Sequence, residues 1–452
     1  MNPAQSQDQP ALQRGLGPWQ ATALNIANMV GIGPFITIPA FIATMHGPQA
    51  MIGWVAAAVL VLCDGLVWSE LGAALPGSGG TYHFLREIFG RYRWGRIMPF
   101  LFIWQFLVSG ALEMASGYVG ALQCLEYAFP GIAEFAKDYS VLGGTKWIAA
   151  ASVLLVTALL CRRITSIGWM GLVLCTGTII TVLLVILAGL THFNPSLLKP
   201  PPGAFVLDQK FTTGLGGAML IAIYDYLGYF NVCHLGDEVR QPERTIPRAV
   251  ITSVIVVALI YLTMNVSIIA VVPWQEAMKS QNIAALFVER LYGRTTAVVF
   301  TGFILWTSIA CMFAATLGYS RIPYAAARRG DFFPVFAYLH PTGHYPLVSL
   351  LVFGVLTAAF CFLDLGTIIS AAVCVRIGVQ FIGQILALQL LRTTRPDVKL
   401  PFRMWLYPLP SFIALAGWLY VLATADRQVL LISLSVVVSG IWIFVIWTVF
   451  AP

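Results

Sequence analysis

The sequence is poor in charge. Only 10% of its 452 residues are charged and 59% are apolar, against about 25% charged and about 45–50% apolar in a typical soluble chain. The charged residues are not gathered into a tail, which argues against a disordered protein. The composition excludes an ordinary soluble protein and favours one that lies in a lipid bilayer.

Sequence motifs of enzymes and metal sites are also missing. The chain has no H-E-x-x-H, no G-x-S-x-G, no histidine cluster and no P-loop, so neither a membrane enzyme nor an ATP-driven pump is expected. Its eight cysteines lie in apolar stretches without a C-x-x-C pair, which argues against a zinc site or a disulfide framework. No cysteine lies clearly in an outer loop, so no disulfide-linked partner subunit is expected. We predict no metal and no cofactor, with a coupling proton left open.

Long apolar stretches predict membrane-spanning helices. A bilayer core of about 30 Å needs roughly 20 apolar residues per helix, and these stretches do not alternate as barrel strands do. We predict an all-α integral membrane protein with twelve spanning helices at about 18–46, 50–75, 97–127, 146–161, 166–191, 213–236, 248–272, 295–321, 345–364, 366–391, 402–424 and 428–450.

The basic residues set the expected orientation. Twelve spans place both termini on one side, which then holds 17 of the 26 basic residues, against 8 on the other side and Arg376 inside a helix. Because cytoplasmic loops accumulate Lys and Arg, we expect a multi-pass protein of the cytoplasmic membrane with both termini in the cytoplasm. The net charge of +7 is then a topology signal and not a sign of nucleic-acid binding.

Two cytoplasmic segments are more than turns. Residues 77–90 form a glycine-rich start to an amphipathic stretch, and residues 319–344 are basic and aromatic. We expect both to lie along the membrane surface. A solvated basic face that anchors the topology is favoured over a gating role.

Two of the predicted helices are interrupted at mid-depth. Helix 1 contains V-G-I-G-P at 30–34 and helix 6 contains Y-D-Y-L-G-Y at 224–229. These helices begin two five-helix halves, as in transporters built from inverted repeats. The N–H groups of Ile32 and Gly33 suit a carboxylate, and carbonyls near Asp225 suit an ammonium group. The breaks predict an amino acid site, although Gly and Pro also serve packing and kinks in spanning helices.

Four ionisable residues are good candidates for charges deep inside the predicted spans: Asp64, Glu113, Asp225 and Arg376. A charge at mid-bilayer costs at least about 2.5–3.5 kcal/mol, so each needs a partner or a function. We expect Asp225 to face a bound amine. Three roles are open for Glu113: it could bind an ammonium group, carry a proton or pair with Arg376. Asp64 is left open between a third cation ligand and a hydrogen bond to a neighbouring helix.

Other polar residues are expected to be structural. Glu70 and Asp364 lie nearer helix ends and are predicted at the membrane interface. His234 is predicted to be packed and hydrogen-bonded and not a proton relay.

Four strings resemble the amino acid, polyamine and organocation (APC) transporter superfamily. They are NMVGIGPFITIP (28–39), SELGAALPGSGGTYHFLREIFG (69–90), GDEVRQPERTIPRA (236–249) and SRIPYAAARRGDFFPVFAYLHP (320–341), and they follow the family's order. The string RRITSIGW (162–169) and the acids of helices 2 and 3 resemble the polyamine-uptake branch. The overall length is similar to that of the light-chain-type amino acid exchangers.

The resemblance implies a LeuT-like fold. In this fold, 18–192 would be the first inverted repeat and 213–391 the second, joined by an extracellular loop at 193–212. A cytoplasmic tail at 1–17 would precede the first repeat, and helices 11 and 12 would lie in 392–452.

The resemblance also implies a substrate site. Gly31, Ile32 and Gly33 would meet the substrate carboxylate, whereas the amino group would lie near the residues of helix 6, with an aromatic gate after them. The helix 6 residues implied are Tyr224, Asp225 and Gly228, with Tyr229 at the gating position.

The sequence departs from the family at two places. No lysine lies in residues 164–190, where proton-coupled bacterial members carry one in helix 5, and Leu227 stands where the family has a small residue. The first departure argues against that coupling mechanism in this chain.

The sequence therefore predicts a secondary active transporter of amino acids or related organic amines that works by alternating access. The buried acids favour cationic substrates, either polyamines or basic amino acids. A neutral amino acid exchanger or proton symporter is the alternative within this class, and a nutrient sensor that does not transport is the alternative from another class.

Overall fold

The computed structural model describes residues 15–77, 79–92, 94–137, 144–161, 167–341 and 345–450. Over these residues the chain is helical, apart from one isolated parallel bridge between Leu16 and Val239. The helices are α1 (Pro18–Met29), α2 (Gly33–Met45), α3 (Met51–Ala74), α4 (Thr81–Phe89), α5 (Ile97–Ala128), α6 (Pro130–Lys137), α7 (Lys146–Leu160), α8 (Ile167–Thr191), α9 (Gln209–Tyr226), α10 (Asn231–His234), α11 (Pro242–Ile269), α12 (Trp274–Ala277), α13 (Ile283–Tyr319), α14 (Arg321–Arg328), α15 (Leu347–Phe360), α16 (Leu365–Arg376), α17 (Gly383–Thr394), α18 (Leu409–Thr424) and α19 (Arg427–Phe450), with a π-helical segment at Ile377–Ile382.

Some of the predictions fall on residues outside the described ranges. These are the tail up to residue 14, most of the string at 162–169, the end of the segment at 319–344, and four of the basic residues counted for the orientation, namely Arg14, Arg93, Arg162 and Arg163.

Six described helices are long and apolar enough to cross a membrane. They lie at Pro48–Ala74, Ile97–Ala128, Pro242–Ile269, Ile283–Phe313, Leu365–Thr394 and Arg427–Val449, and the bent pair α1 and α2 forms a seventh candidate. Shorter apolar helices lie at Lys146–Leu160, Thr176–Thr191, Leu347–Phe360 and Leu409–Thr424. The all-helical membrane architecture expected from the composition is confirmed.

Helix 1 is broken where glycine and proline predict it. Helix α1 ends at Met29, Val30 has an extended backbone, and α2 begins at Gly33 at an angle of 54° to α1. Pro34 lies in the first turn of α2, where its missing N–H leaves no helical hydrogen bond unmade. The break therefore exposes the backbone of residues 30–32 between two half-helices.

Helix 6 is also broken, but its second half is shorter than predicted. Helix α9 ends at Tyr226, Gly228 adopts a φ of +106°, and α10 is a single turn. Beyond α10 the backbone bonds to the N-terminal segment, where the amide of Arg240 donates to the Leu16 carbonyl at 2.9 Å. Helix α10 itself ends at His234, whose carbonyl accepts from the Gly79 amide at 3.1 Å, so the last residues of the predicted span 213–236 are not helical.

The long helices pack in matched pairs. Helix α3 packs against α11, and α5 packs against α13. The contact of α1 with α11 corresponds to the contact of α9 with α3. In the same way, the contact of α16 with α5 corresponds to the contact of α8 with α13. The two broken helices thus lie at equivalent places in the packing.

The two predicted surface segments contact each other through Asp331. This residue follows α14 and is 6% exposed. The Arg86 guanidinium of α4 lies 2.7 Å from its carboxylate, and the Tyr82 hydroxyl donates to the same carboxylate at 2.6 Å. Residues 77–90 and the described part of 319–344 therefore form one docked unit.

Candidate functional site

A cavity lies between the two helix breaks. Together with the part that opens to solvent, the empty space between the breaks amounts to about 510 Å³. Helices α1, α2, α5, α9 and α13 supply its wall, and the lining residues are Asn28, Met29, Gly31, Ile32, Gly33, Glu113, Met114, Tyr224, Asp225, Leu227, Cys311, Met312, Ala315 and Tyr319.

Asp225 connects the two breaks. Its Oδ2 accepts a hydrogen bond from the Thr37 hydroxyl of α2 at 2.7 Å, whereas its buried Oδ1 has no hydrogen-bond partner. An added Cβ on Gly33 would lie 2.1 Å from that Oδ1. Because buried polar atoms are normally paired, the unpaired Oδ1 in the cavity wall marks Asp225 as a candidate ligand for a donor.

The first break presents its backbone next to Cys311 of α13. A Cβ on Gly31 would lie 3.0 Å from Cys311 Sγ, and the Ile32 amide interacts with the same sulfur. Sulfur is a weak hydrogen-bond acceptor. A carboxylate is therefore a stronger partner for this amide than the thiol is.

The second break is fixed to the first half of helix 1 by Asn25. Its side-chain nitrogen donates to the Tyr229 carbonyl at 2.6 Å, and its oxygen accepts from the Val232 amide at 2.9 Å. Gly228 also approaches α1 closely, since an added Cβ would lie 3.3 Å from Asn28. Neither Gly228 nor Tyr229 lines the cavity; both shape the break behind it.

Tyr224 joins the cavity to α5. Its hydroxyl lies 2.5 Å from the Ser116 hydroxyl, and Ser116 also donates to the Glu113 carbonyl at 2.5 Å. The end of α9 is therefore tied to the α5 turn that carries Glu113.

Glu113 forms an ion pair with Arg376 of α16. The guanidinium contacts the Glu113 carboxylate and donates to the Ser109 hydroxyl at 3.1 Å. Arg376 is 1% exposed and Glu113 is 19% exposed. Of the three alternatives for Glu113, the structure contains the ion pair with Arg376. Glu113 also lines the cavity.

Removing Arg376 is expected to destabilise the protein strongly. Arg376→Gln leaves Glu113 without its cation, and breaking a buried pair costs about 3–5 kcal/mol. Thermal unfolding in detergent should occur at a clearly lower temperature, and Glu113→Gln added to this variant should restore part of the loss. The matched surface change is Arg290→Gln, which breaks the exposed pair with Glu276 and should cost about 0–1 kcal/mol. Equal effects of the two arginine changes would contradict a buried ion pair.

Asp64 lies away from the cavity and is fully buried. Its carboxylate accepts hydrogen bonds from the Trp68 indole at 3.0 Å, from the Trp418 indole at 3.1 Å and from the Tyr229 hydroxyl. Of the two alternatives for Asp64, the structure contains the bonds to neighbouring helices. It does not bring Asp64 to the proposed substrate.

Glu70, which is predicted near the membrane interface, is fully buried within the protein. Arg392 of α17 binds both of its oxygens at 2.6 and 2.7 Å, and the Met404 amide donates to it at 2.8 Å. The guanidinium and amide replace the water that an interfacial carboxylate would need.

His234 and Asp364 remain outside the cavity. The His234 ring packs edge-on against Trp68 and Phe230, and its buried Nδ1 has no hydrogen-bond partner, so it is packed as predicted but not bonded through that nitrogen. Asp364 caps α16 by accepting from the Thr367 amide at 2.7 Å.

Several polar contacts of the site were not predicted from the sequence. Asn25, Thr37, Ser116 and Tyr261 all hydrogen-bond across helices near the breaks, and the Tyr261 hydroxyl donates to the Met29 carbonyl at 2.6 Å. The available signal was a polar side chain inside an apolar stretch. Within the described residues, no group of three or more His, Cys, Asp or Glu is placed to hold a metal ion.

The comparisons with known proteins place this all-helical membrane protein among transporters and not among enzymes. Residues 16–450 match the amino acid permease family, and the chain belongs to that family. The resemblance to the APC superfamily is thereby confirmed.

Three relatives show how far the similarity extends. The b(0,+)-type amino acid transporter 1 of Mus musculus is 24% identical over 91% of this chain and 83% of its own length. The serine/threonine exchanger SteT of Bacillus subtilis is 22% identical over 91% of both chains. The cationic amino acid transporter 4 of Homo sapiens is 24% identical over 80% of this chain, which spans only 58% of that relative.

Proposed function

We propose that this permease carries amino acids across the cytoplasmic membrane by alternating access, with the substrate held between the two helix breaks. The observation that carries the proposal is the cavity shared by residues 31–33 and Asp225. The substrate carboxylate would bind the amides of the first break, displacing the weak contact between Ile32 and Cys311. The α-amino group would lie at the negative end of α9.

We propose a preference for cationic amino acids, and Asp225 is the residue that supports it. Glu113 is neutralised by Arg376, and Asp64 lies outside the cavity. Asp225 is therefore the one acid in the described cavity wall that no described basic side chain pairs with. A second positive charge on the substrate would balance it. Neutral amino acids are the alternative, favoured if Asp225 is protonated in the binding state.

We also propose the twelve-span, LeuT-like arrangement with repeats at 18–192 and 213–391. The six long helices, the bent pair, the four shorter apolar helices and α9 provide twelve segments. A twofold relation between the two repeats is supported by the packing of the helices. Helix α3 packs against α11 and α5 packs against α13, while α1 contacts α11 and α9 contacts α3. The positive-inside bias supports cytoplasmic termini.

Transport by the purified protein tests this proposal. The candidate substrates are arginine, leucine and putrescine. Proteoliposomes are preloaded with one unlabelled candidate, and its exchange for the same compound in labelled form outside is measured. We expect arginine to exchange and to be competed only weakly by leucine. Leucine exchange alone would support the neutral alternative, putrescine exchange alone would favour the polyamine branch, and binding without any flux would indicate a sensor.

A further inference from the structure

The Asp64 cluster is a buried acid that the proposed substrate site does not use. All four members, Asp64, Trp68, Tyr229 and Trp418, are fully buried. They come from α3, from the helix 6 break and from α18. The described residues include no ion pair to Asp64, so a charged carboxylate here has only neutral donors as partners.

Among the described residues, the arginines of the neighbouring helices α16 and α17 are held by other acids. Arg392 of α17 is held by Glu70, and Arg376 of α16 is held by Glu113. Cys63 on α3 precedes Asp64 in the chain, and Tyr229 in the break bonds to Asp64. Tyr261 on α11 bonds to the Met29 carbonyl, and Asp225 on α9 bonds to Thr37. Further titratable groups on the packed elements include Glu70 on α3, Tyr224 and Tyr226 on α9, Glu243, Arg244 and Arg248 on α11, and Tyr420 on α18.

The cluster satisfies either protonation state of Asp64. In the anion, both indole N–H groups and the Tyr229 hydroxyl donate to the carboxylate. A proton added to a carboxylate oxygen takes the charge from negative to neutral and breaks no covalent bond. The Tyr229 hydroxyl, which can both donate and accept, then accepts from the new O–H by rotating, while the indoles still donate to lone pairs.

Tyr229 connects this acid to the break in helix 6. It follows Gly228 directly, and its carbonyl accepts from Asn25 of α1 at 2.6 Å. A rearrangement of the broken helices that withdraws the Tyr229 hydroxyl removes one of three donors from the anion. Proton affinity at Asp64 would thus differ between the two states of the cycle, which is the thermodynamic requirement for coupling.

We propose that Asp64 is the binding site of a co-transported proton, set behind the helix 6 break and separate from the amino acid site. This inference rests on the proposed transport function. Loss of the Tyr229 contact would raise the proton affinity of Asp64. The proton would therefore bind from one side of the membrane in the state without this contact, and it would leave on the other side once the contact has formed again.

Wild-type protein and the variants Asp64→Asn and Tyr229→Phe test the inference in proteoliposomes. Exchange of labelled amino acid at equal pH reports substrate binding, whereas accumulation under an inward proton gradient and the internal pH report coupling. Asp64→Asn should still exchange at a rate within about tenfold of wild type but show no accumulation above equilibrium and no substrate-dependent acidification. Tyr229→Phe should keep accumulation with a shifted pH dependence. The control Asp397→Asn removes a 66% exposed carboxylate and should behave as wild type.

The outcomes separate the two proposals. If wild-type protein exchanges no amino acid, the transport proposal fails. If wild type exchanges but moves no protons, or if Asp64→Asn still accumulates substrate under the gradient, the proton site alone is wrong. If Asp64→Asn does not fold, Tyr229→Phe decides, since an unchanged pH dependence would overturn the inference.

Discussion

Asp225→Asn should reduce arginine uptake by at least about 100-fold at low substrate concentration, because leaving a buried charge unpaired costs about 3–5 kcal/mol and each 1.4 kcal/mol is tenfold. The amide keeps the shape of the carboxylate and can still accept from Thr37. The reduction in arginine uptake therefore measures the effect of the negative charge that faces the substrate, separately from the shape of the side chain. Initial uptake rates in proteoliposomes over a range of arginine concentrations measure it.

The matched control for this change is Asp397→Asn, which neutralises an exposed carboxylate paired with Arg395. It should leave the rates within about twofold, since surface pairs are worth about 0–1 kcal/mol. Helical content and chromatographic behaviour of both variants verify folding. Unchanged arginine uptake in Asp225→Asn would remove this residue from the site.

Gly33→Ala should reduce uptake by about 10–100-fold, because a displacement of about 1 Å at a binding site can cost that much. The added methyl would lie 2.1 Å from Asp225 Oδ1, so the carboxylate must move. Asp225 has little room to do so, since Thr37 holds its other oxygen. Uptake rates normalised to the amount of reconstituted protein measure the effect.

Gly302→Ala is the matched control, because an added Cβ there meets no atom within 4 Å. Alanine is also the better helix former by about 1 kcal/mol, so stability should hold or rise. Similar losses in Gly33→Ala and Gly302→Ala would show that glycine content, and not the contact with Asp225, limits transport.

The break in helix 1 was predictable from the sequence because its cause is local. Two glycines and Pro34 within residues 30–34 disfavour a continuous helix, and the chain bends there. The length of the second half of helix 6 was not predictable. The carbonyl of its last residue, His234, accepts from the amide of Gly79, a residue far away along the chain.

The partners of the buried acids were predictable only where the chain offered few choices. Arg376 was the single Lys or Arg predicted well inside a span and away from its ends, so its pairing with Glu113 could be stated as an alternative. Glu70 is bound by Arg392, 322 residues away, and its sequence neighbourhood gives no sign of this contact. Of the aromatic donors to Asp64, Trp68 lies one turn away on the same helix, whereas Tyr229 and Trp418 come from distant parts of the chain.

The position of a bound amino acid tests the central claim most directly. A cryo-EM structure of the protein with L-arginine should show the substrate carboxylate against the amides of residues 31–33 and a cationic group of the substrate against Asp225. Arginine bound anywhere other than between the two helix breaks, or with its carboxylate turned away from the first break, would contradict the account.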